Sequence, residues 1–423
     1  MREDFFSAYL QYTSNNESPA IFHRWSAIAA VGAILGRNYR QEFGHQMLAT
    51  NIYCMLMGTP GTRKSTAIKI SKKLLQSVGY ENIAADKTTK EKFLLDLAGH
   101  IDDAGTISPE DFLAGSLNGP DDTDSPREVF IMADEFNDFF GNNIIEFVSL
   151  LGSLWDYEGV YTSRVKNGQS VNIPWPTVSP VGGNTPTSFA HVFPPETLGQ
   201  GFFSRVLLIH GTNTREKIAF PKPPRPEETL YITNLFKQFQ IYCMSDVTRE
   251  AAAQKLLEEV YHNFAGIQDT RFEYYGQRRF QHLLKLCSIH SAARSIVEKD
   301  SRGIITLDDV IAANTVLTAA EHGMPNALGE FGRNKHSDIG NTVLNLLYDS
   351  DEPLPFNKLY EPVNRDINYR EFQILIQSLQ LAGKIHVLGQ GFMAIRPQAA
   401  KLYMKAIDWN YLTEEERKEY GND

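Results

Sequence analysis

The sequence predicts an α/β fold built on a parallel sheet. Three observations carry that expectation. Short apolar runs alternate with helical stretches across roughly residues 45–215. A Gly-Thr-Pro-Gly loop follows the first of those runs and opens a helix. The third run ends in two adjacent acids, Asp134 and Glu135. The chain has 423 residues, enough for two or three domains at about 150 residues each. Its composition, 42% hydrophobic and 22% charged, excludes wholesale disorder, a collagen-like chain and a coiled-coil rod.

Taken in order, residues 1–50 look helical, with Phe22, Trp25, Ala29, Ile34 and Leu35 close to helical spacing. Residues 1–44 therefore read as an N-terminal helical segment with no chemistry of its own. Asn51 to Met57 is a short apolar run of the kind that forms a buried strand, and Thr66 to Leu75 reads as a helix. Ile83 to Ala85 is a candidate second strand. Thr88 to Glu91 has capping-box spacing and should open a helix. Gly105 to Pro126, rich in Asp, Gly, Ser and Pro, reads as exposed loop. The third strand is Val129 to Ala133, followed by a helix near Ile144 to Leu154. Two alternating segments then flank Asn167-Gly168, the strongest short hairpin signal, which predicts a hairpin over Tyr161 to Ile173. Thr177 to Gly183 leads to Asn184, and Ser204 to His210 reads as the last strand. The core so defined covers 45–220.

Pro221-Lys-Pro-Pro-Arg-Pro226 is a stiff linker. Residues 227–332 are helix-rich. Residues 337–400 hold short helices and then a small hairpin over Gly383 to Ile395, which resembles a winged helix-turn-helix. A tail, 401–423, follows. Within that region five Lys and Arg (Lys358, Arg365, Arg370, Lys384, Arg396) face seven acids (Asp338, Asp349, Asp351, Glu352, Glu361, Asp366, Glu371), a balance that suits a protein contact as well as a DNA reader.

The largely apolar run Trp25 to Leu35 is far short of the about 20 residues a bilayer span needs. Met1-Arg2-Glu3-Asp4 lacks the pattern of a signal peptide. Cys54, Cys243 and Cys287 are far apart and odd in number, which argues against a disulfide scaffold or zinc site and fits a reducing cytoplasm. His23, His191 and His282 are isolated and show no metal spacing. A net charge of −10 makes a generic nucleic-acid coat improbable but leaves a local basic channel open.

The central chemical signal is Gly58-Thr59-Pro60-Gly61-Thr62-Arg63-Lys64-Ser65, with Thr66 next. Such a loop curls its backbone N–H groups round phosphate oxygens at a helix N-terminus. Lys64 would neutralise the β and γ phosphates of ATP, and the Ser65 hydroxyl would ligate Mg²⁺. Arg63 stands where a glycine usually precedes the lysine. Asp134, at the end of an apolar strand, suits the Mg²⁺ shell, and Glu135 suits polarising the attacking water.

These residues resemble the AAA+ ATPases, and within them the replicative helicase branch that includes minichromosome-maintenance proteins and phage and plasmid replication ATPases. The resemblance covers roughly 50–330, with the winged-helix region also matching. It implies an AAA+ P-loop core, a helical lid over 227–332, and a homo-oligomeric ring, a hexamer. It implies that Asn184, ending the fourth core strand, contacts the γ-phosphate or water. It implies that Arg205 is an arginine finger for the neighbouring subunit, and that Arg278 or Arg279 senses nucleotide. It also implies that the hairpin carrying Arg164, Lys166 and Asn167 points into a central channel and grips single-stranded DNA.

The function so implied is an ATP-dependent DNA helicase or translocase in phage or mobile-element replication, acting with other replication proteins and no membrane. A helicase loader or protein remodeller is the alternative that Phe136, Phe139 and Phe140 would serve as a pore loop. A winged-helix regulator that uses ATP as an assembly switch is the third.

Overall fold

The computed structural model describes residues 4–99, 126–140, 144–164, 170–194, 197–198, 201–212, 215, 217–267, 269–299, 302–329, 331, 335–348, 350, 352–381, 383–389, 391–394 and 404–419. The chain is a mixed α/β protein with parallel strands in two sheets.

Helices α1 (Phe5–Tyr12) and α2 (Ala20–Leu35) come first. All 16 residues of α2 are buried, so it is a core helix rather than a surface one. Strands β1 (Tyr39–Phe43) and β2 (Gln46–Leu48) follow, where the helical reading of residues 1–50 placed none. Their polar, alternating sequences form half-buried strands that an apolar-run criterion passes over.

The main sheet contains β3 (Tyr53–Met57), β4 (Glu128–Ala133), β7 (Thr177–Asn184) and β8 (Val206–His210) in the order β4-β7-β3-β8, all parallel. Every residue of β3 and β7 is buried, as expected of parallel strands covered by helices. The expected second strand is reduced to one parallel bridge, Ile83 to Phe130 of β4. Helix α3 (Lys64–Ser77) follows β3 and packs with α2 against β4 and β7. Helix α4 (Lys90–Leu97) is capped by Thr89, one residue later than the capping-box spacing placed it. The short α5 (Phe136–Phe140) and then α6 (Ile144–Leu154) follow β4.

The hairpin is β5 (Val160–Ser163) against β6 (Val171–Pro174). Ser163 pairs with Val171, and the Asn167-Gly168 turn lies outside the described residues. Lys166 and Asn167 lie outside the described residues; Arg164 is described and exposed.

After α7 (Pro186–Val192) and β8 come α8 (Pro226–Tyr242), β9 (Ser245–Arg249), α9 (Ala251–Asn263), α10 (Glu273–Gly276), α11 (Arg279–Glu298), β10 (Ile304–Ile305) and α12 (Leu307–Leu328). The helix-rich region therefore also supplies two strands. They complete a second sheet, β10-β9-β1-β2, in which β9 runs parallel to β1. One continuous hydrophobic core joins the N-terminal helices, the main sheet and α8 to α12.

A second core lies in α13 (Lys335–Tyr348), α14 (Phe356–Tyr360), α15 (Tyr369–Leu381), β11 (Ile385–Leu388) and β12 (Gly391–Ala394), with Leu354 bridged to Phe392. Arg396, Asp349 and Asp351 lie outside the described residues.

The tail returns to the main core through α16 (Glu414–Glu419). Glu416 and Arg24 are each 1% exposed, with Nε to Oε1 at 2.6 Å and Nη2 to Oε2 at 2.8 Å. The Arg24 charge holds the Glu416 carboxyl below its ordinary range against the burial that raises it. Glu416→Ala would leave Arg24 as a buried, unpaired cation, a loss of about 3–5 kcal/mol. Urea unfolding should show that loss as a lowered midpoint with an unchanged slope.

Candidate functional site

Three strand ends meet at one edge of the main sheet. Met57 pairs with Asn184 on one side and with His210 on the other, so the ends of β7 and β8 flank the start of the Gly58 loop. The approach depends on glycines. A Cβ on Gly58 would lie 2.7 Å from the Gly211 carbonyl oxygen, and one on Gly183 would lie 2.5 Å from that of Asp134. Neither obstacle is a flexible side chain, so both positions require the missing Cβ.

The loop turns through Gly61 at φ +87° and Arg63 at φ +61° before α3 begins at Lys64. Arg63 thus occupies the left-handed conformation in which a side chain costs about 1–2 kcal/mol. This is the physical content of the departure from glycine. Its neighbours hold it: the guanidinium pairs with Glu17, and its carbonyl accepts from the Ser18 hydroxyl at 3.0 Å.

The Lys64 ammonium folds back into the loop. It donates to the carbonyls of Gly58 at 2.9 Å and Thr59 at 3.1 Å and to Thr62 Oγ1 at 3.2 Å. Burial lowers its proton affinity, and the Glu135 carboxylate opposes that shift. A desolvated cation held by neutral oxygens is suited to receive an anionic ligand. The loop's chemistry therefore fits a phosphate.

Ser65 sits half-buried in the first turn of α3. Lys69, one turn on along the same face, pairs with Asp134 at 2.5 Å. Asp134 and Ser65 therefore lie on the same side of α3. Asp134 and Glu135 are both exposed at the sheet edge, ahead of α5. No group of three or more His, Cys, Asp or Glu among the described residues is placed to hold a metal. Mg²⁺ with a nucleotide needs only one or two protein ligands besides phosphate and water, and Ser65 and Asp134 are the residues that could supply them.

Asn184 is fully buried. Its amide donates to Asn137 Oδ1 at 3.1 Å, and its Oδ1 accepts from Thr185 N at 2.9 Å. Asn137 in turn donates to Ser188 Oγ at 2.9 Å. Asn184 is thus tied to the helix that follows Glu135. Asn137 was not among the candidate residues; its place two positions after Glu135 was the one available signal.

Arg205 lies at the other edge of the sheet. Val206 pairs with Tyr53 at the start of β3, a strand length of roughly 17 Å from the Gly58 end. Arg205 donates to the Gly201 carbonyl, while its Nε is buried with no hydrogen-bond partner among the described residues. Burial and the nearby Arg278 both depress its proton affinity. Arg278, at the start of α11, is half-buried and donates to Gln281 at 3.1 Å. The adjacent Arg279 is engaged elsewhere: its Nε meets Glu321 at 2.6 Å, its Nη2 meets Asn314 at 2.9 Å, and it lies over the Phe264 ring at 4.4 Å. Arg279 therefore pins α11 to α12, and of the two neighbouring arginines Arg278 is the one set beside Arg205. Arg205 and Arg278 together form a pair of like charges that an anion would relieve.

The hairpin leaves from that same edge. Trp175 at its base adopts φ +44° and its N–H donates to Gly159 at 2.8 Å. The Arg37 guanidinium lies 5.5 Å from the Trp175 ring centre and donates to Thr177 Oγ1 at 2.6 Å.

Gly183→Ala should lower stability by about 1–3 kcal/mol through overpacking and weaken binding of a fluorescent ATP analogue. Gly152→Ala in α6, where the added Cβ meets ordinary contacts of 3.6 Å and more, should leave both measurements near wild type.

Neither protein-family models nor curated proteins give a match to this chain, so the site stands on its own residues.

Proposed function

We propose that the chain is a ring-forming ATPase of the AAA+ kind that tracks single-stranded DNA and unwinds duplex. The observation that carries the reading is Lys64, desolvated inside the Gly58–Thr62 turn and acted on by Glu135. The strand order supports it. With the Ile83 bridge counted, the loop-bearing strand is first in sequence and lies between the fourth and fifth. Asn184 ends the fourth.

In this reading the loop N–H groups and Lys64 hold the β and γ phosphates. Ser65 and Asp134 share the Mg²⁺, which bridges and neutralises phosphate oxygens. Lys69 must release Asp134 when the ion binds. Glu135 orients the attacking water, with Asn184 acting through Asn137 to position the turn that carries it. Arg205 and Arg278, a strand length away from their own loop, serve the nucleotide of a neighbouring copy. Arg164 on the hairpin meets DNA phosphates.

The remodeller reading is weaker, because Phe136, Phe139 and Phe140 are each at most 2% exposed and cannot act as a pore loop where they lie. One observation favours the regulator reading. As the recognition helix of a winged helix, α15 exposes Arg370, Gln373 and Gln377 along one stripe.

ATP turnover with and without single-stranded DNA, combined with strand displacement of a forked duplex, tests the proposal. Lys64→Ala should abolish nucleotide binding, whereas Glu135→Gln should bind and fail to turn over. Arg205→Ala should reduce turnover by about 10³-fold or more, and mixing it with Glu135→Gln chains should restore part of it. Turnover by Glu135→Gln at the wild-type rate would sink the assignment. Arg164→Ala should keep basal hydrolysis and flatten the salt dependence of DNA binding by roughly one ion per site contacted. Binding that discriminates strongly between duplex sequences would instead favour the regulator.

A further inference from the structure

The segment 217–225 between β8 and α8 is an exposed, proline-rich arm. Phe220 in its middle is 90% exposed, among the most exposed large apolar side chains described. Pro221, Pro223 and Pro224 stiffen the backbone, so presenting Phe220 costs little conformational freedom. Lys217 and Lys222 on either side are exposed as well. The arm is held at its root, where the Ile218 N–H donates to Glu17 at 2.8 Å, the same carboxylate that pairs with Arg63. It therefore leaves the molecule on the side of the Gly58 loop.

A small cavity of about 190 Å³ lies between β1, α9 and the first turns of α11. Phe43, Tyr261 and Phe280 form an aromatic group there, with ring centres 6.0 Å apart for Phe43 and Phe280 and 4.8 Å for Tyr261 and Phe280. Tyr261 is 58% exposed, so the group is open to solvent. Glu42 and Glu258 on the rim are exposed. Of the basic residues that line it, Arg249 is already bonded to Gln41 at 3.0 Å and Gln254 at 3.2 Å, and His262 is exposed beside Tyr261. Phe280 and Arg278 both lie at the start of α11, so the cavity sits at the end of that helix that carries Arg278.

We propose that the arm of one copy docks in this cavity of the next, with Phe220 against Phe43, Tyr261 and Phe280 and the two lysines against Glu42 and Glu258. The occupant is a second copy because the arm and the cavity match in chemistry: an aromatic between two cations meets an aromatic group between two acids. Their placement agrees. The arm leaves from the Gly58 side and the cavity lies at the Arg278 end of α11, the two sides that the proposed head-to-tail ring brings together. This inference rests on the ring reading above and adds a strap that reaches across the nucleotide interface.

Cys54, Cys243 and Cys287 are all buried, so introduced surface cysteines can be read selectively. Phe220→Cys chains mixed with Tyr261→Cys chains, in a slowly hydrolysed ATP analogue with copper–phenanthroline as oxidant, should yield a covalent dimer that neither variant yields alone. Phe220→Ala should raise the concentration needed for assembly, followed by light scattering, roughly tenfold. Assembly of wild-type rings without any mixed cross-link, and with Phe220→Ala assembling like wild type, would overturn the strap and leave the ring reading standing. A wild-type chain that stays monomeric with the analogue would overturn both.

Discussion

The close approach of three strand ends at one edge of the parallel sheet is the constraint on which the rest of the site depends. Gly58 and Gly183 allow β3, β7 and β8 to finish side by side, with backbone oxygens where any Cβ would collide. That edge collects the Gly58 loop, the Asp134–Glu135 turn and the Asn184–Asn137 relay. Without it Lys64 would have neither its ring of loop oxygens nor its acid across the gap. Gly211 extends the same logic inward, since its own Cβ would strike the Phe22 ring of α2 at 2.6 Å. The buried central helix and the loop edge are therefore packed against one another.

The chain supports this edge from three directions. Glu17 ties the N-terminal turn to Arg63 and to the root of the arm at Ile218. Glu415 accepts from the Ala20 N–H at 3.0 Å and pairs with Arg215 at 2.7 Å. Glu419 accepts from the Thr212 N–H at 2.7 Å, just past the end of β8. Burial pushes the Glu419 carboxyl up to about 7, so the folded state favours its neutral form more than an exposed glutamate would. The tail is thus part of the core's architecture, joined to α2 by the buried Arg24–Glu416 pair.

Charge is divided between the two edges of the sheet. The loop edge places one desolvated lysine near two exposed acids. The opposite edge sets Arg205 beside Arg278, with Arg205 only partly compensated by Asp156 and Tyr53.

The sequence by itself determined the parallel α/β class, the Gly58–Ser65 loop between a strand and a helix, the acids ending the third strand, the hairpin's existence and the separate C-terminal unit. These rest on local patterns: apolar runs, glycine spacing and caps, which act within a few residues. It missed β1, β2, β9 and β10: the polar residues of β1 and β9 become strands by pairing Tyr39 with Ser245 far along the chain, and Ile304–Ile305 is too short a run to signal a strand without Thr248 and Arg249 beside it. It could not choose between Arg278 and Arg279, since their helical context is nearly identical and only the distant Glu321 claims one of them. Nor could it find Asn137 or the burial of Asn184, which depend on how β4, α5 and β7 meet. Tertiary packing decided those questions for one reason: a side chain's partner is set by which elements touch, and the elements that touch here are far apart along the chain.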